Sequence, residues 1–318
     1  MSQTFHGGYG RNVDCPKELI QELLKRAIMN EIDFLKKEIR KTGYPLEIEI
    51  SSLLEKVWKT VVNTDAYYDR DEGKLRDIDI HAFDLFASDK VLPIVLRTGL
   101  VIECKKDESF AWIFFTRPFE LDMEYLEGQY VDKVHCISKN TENNQILEKI
   151  YNKISLHYED IQRIAVAYDT FYLKGKKGPF AKKKREIFEA QNQLKKYVDY
   201  TIDQLIKASP QFDTYPIEVY FPCIVFDGSM YEAILDSGRL KLKEAHHILL
   251  SSSYRSPYSV WEKGVLIDVV QKKYFKEYQK LIRKDVTSLR KTIRKHAKRF
   301  SREIDQISSL LSSVRTKV

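Results

Sequence analysis

Cysteine is scarce in this chain and follows no pattern. The 318 residues include four, Cys15, Cys104, Cys136 and Cys223, with no CxxC spacing. That excludes a zinc knuckle and a disulfide framework, and places Cys104 and Cys223 inside apolar runs where buried free thiols are common. The seven histidines form no ligand pattern either, and the adjacent His246 and His247 would point to opposite faces of a strand. A zinc enzyme is not expected. Long apolar runs are also missing. The stretch from Leu92 to Ile102 is broken by Arg97, well short of a membrane span, and Met1 to Gly8 holds no apolar signal core. No membrane partner is expected, and an intracellular, cytoplasmic location follows. There are no internal repeats and no low-complexity linkers, so the length allows one large or two ordinary domains with a full core.

Two short strands carry most of the chemistry. One runs Arg76-Asp77-Ile78-Asp79-Ile80-His81-Ala82-Phe83, the other Val101-Ile102-Glu103-Cys104-Lys105-Lys106. Alternate strand residues share a face, so Asp79 should project opposite to Ile78 and Ile80, and Glu103 and Lys105 together, opposite to Ile102 and Cys104. Paired strands would bring Asp79 and Glu103 into a hard, all-oxygen pocket suited to Mg²⁺. The Lys105 ammonium beside it would orient and help deprotonate a water. Such a set cuts phosphodiesters.

Arg-Asp-Ile-Asp-Ile followed by Ile-Glu-Cys-Lys resembles the D…ExK core of the PD-(D/E)XK nuclease superfamily, which includes restriction endonucleases and resolvases. The resemblance covers Gly43 to Phe115. It implies that Asp79 and Glu103 are the metal-binding acids, that Lys105 is the family's lysine, and that the cofactor is Mg²⁺ or Mn²⁺. The Cys104 carbonyl would help hold the ion. Upstream, Leu46, Ile50, Leu53, Leu54 and Val57 have helical spacing with Glu47 near the helix start, and family members often carry a glutamate in this first core helix. Glu47 is thus a candidate for a second ion or an ordered water. Tyr67 to Lys74 reads as a strand end and an Asp/Gly turn just before the Asp79 strand, so helix, strand, turn and strand follow in the family's order. After Lys105, Trp112-Ile113-Phe114-Phe115 reads as the next sheet element, and the long spacer between Asp79 and Glu103 requires an excursion around Ser88 to Pro93.

The same residues also fit a solvated strand whose outward positions happen to be charged, which explains the alternation but not the order of elements. Asp69 and Asp71 do not form a calcium loop, since Gly73 comes one position early and Ile80 replaces the bidentate acid. His81 shares a face with Asp79. It lines the cleft or is a half-buried strand residue.

Charge is concentrated. Gln271 to Arg302 holds thirteen basic residues against Glu277 and Asp285, an excess of eleven where the whole chain's excess is seven, so the remainder is slightly acidic. An apolar stripe from Phe275 through Tyr278, Ile282, Val286, Leu289 and Ile293 to Leu311 predicts one long helix with a packed seam and a basic outer face. The seam needs a partner, either the helix predicted over 16–41 or a second copy of the chain, making a homodimer. Lys291, Arg294, Lys295 and Lys298 on the outer face are candidate phosphate contacts. Glu142 to Leu173 and Glu186 to Lys207 both have helical spacing and predict an αα-hairpin. Its basic tip, with Lys176, Lys177, Lys183 and Lys184, could reach a nucleic-acid backbone. Ile217–Phe226, His247–Leu250 and Val265–Val270 read as strands, the first weakened by Pro222.

The expected architecture is an α/β, restriction endonuclease-like mixed sheet flanked by helices. A nuclease-like domain would span 1–270, with N-terminal helix 16–41, core 44–135, helical insertion 142–210 and returning strands 215–270. The basic helix 271–318 would pack on it or on a second copy. The expected activity is Mg²⁺-dependent hydrolysis of nucleic acid, DNA being favoured by superfamily precedent. The rival is a nucleic-acid-binding or assembly protein that kept the fold without the chemistry. The intact triplet argues against that rival.

Overall fold

The computed structural model describes residues 31–87, 94–119, 157, 161–173, 184–208, 215–252 and 265–315. The chain forms two compact units, residues 1–45 and 46–318. In the first, residues 31–39 are helical (α1), inside the expected 16–41; residues 16–30 lie outside the described set.

The second unit is built on a mixed sheet of eight strands. Helix α2 (Tyr44–Leu54) buries Leu46, Ile50 and Leu54 at the predicted spacing and leads into β1 (Thr60–Asp69). The following turn is closed by Asp69, whose Oδ1 accepts the amides of Asp71 and Glu72 at 3.0 and 3.2 Å, and by Gly73, whose φ of +65° suits glycine. β2 (Lys74–Ala87) runs back along β1, and β3 (Ile94–Pro118) runs back along β2, with Ala87 opposite Val95. The long spacer between Asp79 and Glu103 is therefore taken up by two long hairpin arms; residues 88–93 lie outside the described set. Trp112 to Phe115 are not a new element but a continuation of β3, whose length of 25 residues is well beyond the usual strand.

β4 (Arg163–Tyr172) pairs antiparallel with the second half of β3. This overturns the helical reading of 142–173 over 163–172, and with it the αα-hairpin insertion. The apolar positions Ile161, Ala165 and Tyr168 fit a helix, but the run also holds Ile164, Val166, Thr170, Phe171 and Tyr172. Such β-branched and aromatic residues fill a pleated surface well, and β3 supplies a ladder. The second helix of the expected pair does form, as α3 (Lys184–Ala208). It crosses over to β5 (Tyr215–Asp236), which lies parallel to β3 from Ile94 opposite Tyr215 to Thr116 opposite Ile234.

Pro222 sits within β5, one residue before β8 begins to pair at Cys223, so it lies where β3 alone supplies a ladder. The Ser237-Gly238 turn, both residues at positive φ, leads to β6 (Arg239–Glu244), an exposed strand that sequence reasoning missed despite its hairpin signal. β7 (His247–Ser252) and β8 (Val265–Gln271) pair antiparallel, and β8 runs parallel to β5. A single bridge, Ala165 to Leu250, joins β4 to β7, so the pairings run β3, β4, β7, β8, β5 and back to β3.

One 3-10 turn (Lys272–Tyr274) leads into α4 (Phe275–Arg315). Helices α2 and α4 cover one face of the sheet, burying Ile80, Ile102, Cys104, Cys223 and Val225 against Phe275, Tyr278, Ile282, Val286, Leu289 and Ile293. Helix α3 covers the other face, over Tyr67, Ile78, Val101, Trp112, Tyr220 and Phe226. The seam of α4 through Ile293 is thus filled by the chain's own sheet and α2. The expectation that it needs helix 16–41 or a second copy is corrected over that length, because a sheet face offers the larger apolar surface. Side chains beyond Lys295 lie outside the described set. No described helix is long and apolar enough to cross a membrane.

Candidate active site

Glu103, Cys104 and Lys105 sit where β3 changes neighbours. Ile102 is the last β3 residue that β2 pairs, opposite Ile80, and β4 takes up β3 only at Phe110. Between them β5 lies along the opposite edge, pairing as far as Asp107 before the register shifts at a bulge. Asp107 closes that bulge, its Oδ1 accepting the amides of Ser109 and Phe110 at 2.8 and 3.1 Å.

Asp79 fills the gap left by β2. Its Oδ2 accepts the Cys104 amide at 2.6 Å. The pleat is interrupted there: Ile78 joins the core beneath α3, while Ile80 joins the core beneath α2 and α4. Residues two apart in a regular strand share a face, so the expectation that Asp79 lies opposite both isoleucines is corrected. The β3 alternation holds, with Ile102 and Cys104 in one core and Val101 in the other.

Glu103 and Lys105 do come together. Lys105 Nζ donates to Glu103 Oε2 at 2.6 Å. Glu103 is completely buried, and its second oxygen, Oε1, has no hydrogen-bond partner. Burial pushes its pKa up to about 8, against the pull of Lys105 and with the Asp79 carboxylate adding to the rise. Asp79 is raised above the usual carboxylate range, mainly by burial. Glu47, in the first turn of α2, is raised by burial and then by Asp79, and it also feels Lys105. Burial disfavours the Lys105 ammonium, but Glu103 and Asp79 outweigh it and hold its pKa above normal.

Three carboxylates thus cluster around one ammonium, Asp79 lying within electrostatic reach of both Glu47 and Glu103, and all three acids within reach of Lys105. A buried excess of negative charge with a bare carboxylate oxygen is the environment a hard cation satisfies, and the donors are all oxygen. The residues fit a divalent ion of that class.

Comparison with family models, with curated proteins and with solved structures yields no match, so the functional reading rests on these residues.

The other expected site residues divide. Lys176, Lys177 and Lys183 lie outside the described residues, as does the side chain of Lys184, whose backbone opens α3. Lys291, Arg294 and Lys295 are exposed on α4, and the Lys298 side chain is outside the described set. Part of the basic face is already engaged. The Arg294 guanidinium lies 4.7 Å from the centre of the Phe86 ring, and Arg283 and Arg290 both bind the buried Asp84 carboxylate, at 2.6 and 2.7 Å. His81 lines no cleft: it is buried beneath α3, its Nδ1 2.7 Å from the Tyr197 hydroxyl, and burial lowers its pKa.

Sequence reasoning missed one group entirely. His157, His247 and Asp268 converge, although they are far apart in the chain and share no motif. The histidines form no ligand pattern in their spacing, yet two of them meet in space.

Proposed function

We propose that this protein is a metal-dependent nuclease that hydrolyses phosphodiester bonds of nucleic acid, with DNA as the favoured substrate. The observation that carries the reading is the bare, buried Glu103 Oε1 next to the Lys105–Glu103 ion pair, at the gap where Asp79 replaces a ladder strand. The order of elements around it, α2, β1, turn, β2 and β3, supports the likeness to the PD-(D/E)XK nucleases.

Asp79, Glu103 and the Cys104 carbonyl would hold Mg²⁺ or Mn²⁺, which when bound supplies Lewis acidity to a phosphoryl oxygen and acidifies water. The chain's own groups do the rest. Lys105 keeps its proton, because its carboxylate neighbours raise its pKa. It would therefore act as a fixed positive charge that orients the attacking water, eases its deprotonation and stabilises charge developing on the phosphoryl oxygens. Glu47, whose pKa is raised by burial and then by Asp79, would hold a second ion or an ordered water. Exposed Lys291 and Lys295 offer sequence-independent contacts to phosphates.

The deciding experiment incubates purified protein with supercoiled plasmid, linear duplex, single-stranded DNA and RNA, each with EDTA, Mg²⁺ or Mn²⁺. Cleavage of DNA with metal and none in EDTA is expected. Binding without cleavage under every condition would instead identify the silent nucleic-acid-binding protein.

A further inference from the structure

His157, His247 and Asp268 each offer one ligand atom, and these atoms lie within 4.8 Å of one another, the one such trio among the described residues. Asp268 stands in β8 and His247 opens β7. Both imidazoles turn Nε2 to the Asp268 carboxylate, His247 at 2.6 Å and His157 at 3.1 Å. The other nitrogen of His157, Nδ1, is held by Asp285 of α4 at 2.6 Å. Tyr278, two turns earlier on the same helix, donates to Asp268 Oδ2 at 2.9 Å.

His157 has the arrangement in which proteins commonly hold a metal-binding imidazole, one nitrogen facing the ligand cluster and the other oriented by a carboxylate. Charge balance points the same way. Asp268 and Asp285 place two negative charges in a site with almost no solvent access, their side chains being 6% and 4% exposed. Without an ion, His157 supplies the compensating charge: burial disfavours its imidazolium, but the two carboxylates outweigh burial and raise its pKa to about 10. A divalent cation would displace that proton and leave two neutral imidazoles. Two nitrogens and one oxygen select a borderline first-row ion, zinc before Mg²⁺.

We propose that His157, His247 and Asp268 form a three-ligand zinc site, its fourth position left to a water, that fastens α4 and the backbone at His157 to the β7–β8 pair. Asp285 and Tyr278 are positioning residues. The site shares no residue with the Asp79 site and differs from it in donor chemistry, so it stands independently of the proposed nuclease activity.

The test uses the untagged full chain, loaded with Zn²⁺ or Co²⁺ and dialysed against metal-free buffer. One equivalent of zinc per chain is expected by elemental analysis, with visible d–d absorption after Co²⁺ replacement and a lower Tm after chelation. His247→Ala and Asp268→Asn should lose the ion. Asp285→Asn should weaken zinc affinity about 10- to 100-fold, as loss of an orienting partner does. Asp79→Ala should keep full stoichiometry. Because an alanine at His247 opens a cavity, His247→Gln with a native circular-dichroism spectrum repeats the loss in a folded protein. Substoichiometric metal in wild type, with no d–d band and no Tm response to chelator, would make the cluster a metal-free ion network and overturn the proposal. Zinc that survives His247→Gln but leaves with Asp79→Ala would overturn it equally.

Discussion

Lys105 and Lys106 are neighbours in β3 with different company. Lys105 holds Glu103, whereas Lys106 lies 3.3 Å from the exposed Glu108. On the proposed chemistry, Lys105→Ala should lower the rate of metal-dependent cleavage roughly 100- to 1,000-fold, while Lys106→Ala cleaves nearly as well as wild type. Single-turnover assays on plasmid compare them directly, and the reverse ranking would remove the assignment. Asp79→Ala should abolish cleavage and also cost stability, because it strips the Cys104 amide of its acceptor, a loss of about 1–3 kcal/mol for a buried donor. Asp79→Asn keeps an acceptor there and should lose activity at smaller cost. Glu103 adds a pH signature in EDTA. Its folded pKa of about 8 lies above the ordinary 4.5, so the native state binds the extra proton. The associated stability is fully present below pH 4.5 and is lost as pH rises through about 8. Melts from pH 5 to 9 should show Tm of wild type falling more steeply than that of Glu103→Gln. Among these groups, the meeting of Glu103 and Lys105 was legible in the sequence because strand alternation is a local property, whereas Glu47 was a candidate only through the family likeness. The kink at Asp79 was not legible, since it depends on where β2 leaves β3.

Helix α4 is fastened by charge as well as by its apolar seam. Asp84, almost fully buried, accepts from Arg283, Arg290 and the Lys59 amide, and the Arg283 guanidinium lies 4.9 Å from the centre of the Trp58 ring. Asp84→Ala would leave two arginines and an amide without that partner. It should cost about 3–5 kcal/mol, the usual penalty for breaking a buried pair, read from the midpoint of urea unfolding. The exposed lysines of the same helix act on a different quantity. Changing Lys291 and Lys295 to Gln should leave stability nearly unchanged and flatten the salt dependence of DNA affinity, by about 0.9 in logarithmic slope for each phosphate no longer neutralised. Arg294 is kept in that variant because it packs on Phe86. The helix itself was readable from its stripe of apolar residues. Its partner was not, because a stripe identifies a buried face without saying what buries it. Residues 163–172 failed for the complementary reason: their apolar spacing admits both periods, and only the distant β3 decides for a strand.

Across the whole molecule, long-range pairing dominates. Cys104 lies beside Val225, Lys105 beside Phe226, and Ala165 pairs with Leu250 to close the circuit of strands. Chains whose pairings join distant segments fold slowly. Refolding from denaturant, followed by tryptophan fluorescence, should accordingly be slow, taking on the order of seconds rather than milliseconds.

The long β3 strand has one more consequence, for a chain still being made. Glu47, Asp79, Glu103 and Lys105 all leave the ribosome before residues 215–236, which form the strand backing β3. Until those residues arrive, the edge of β3 that β5 covers stands bare, although the β2–β3 pair that sets Asp79 against Cys104 is already complete. A part-made chain thus carries every group of the proposed site before the strand that backs it exists. On the proposed chemistry, the order of the strands would act as a safety catch, released when the second half of the protein has been synthesised.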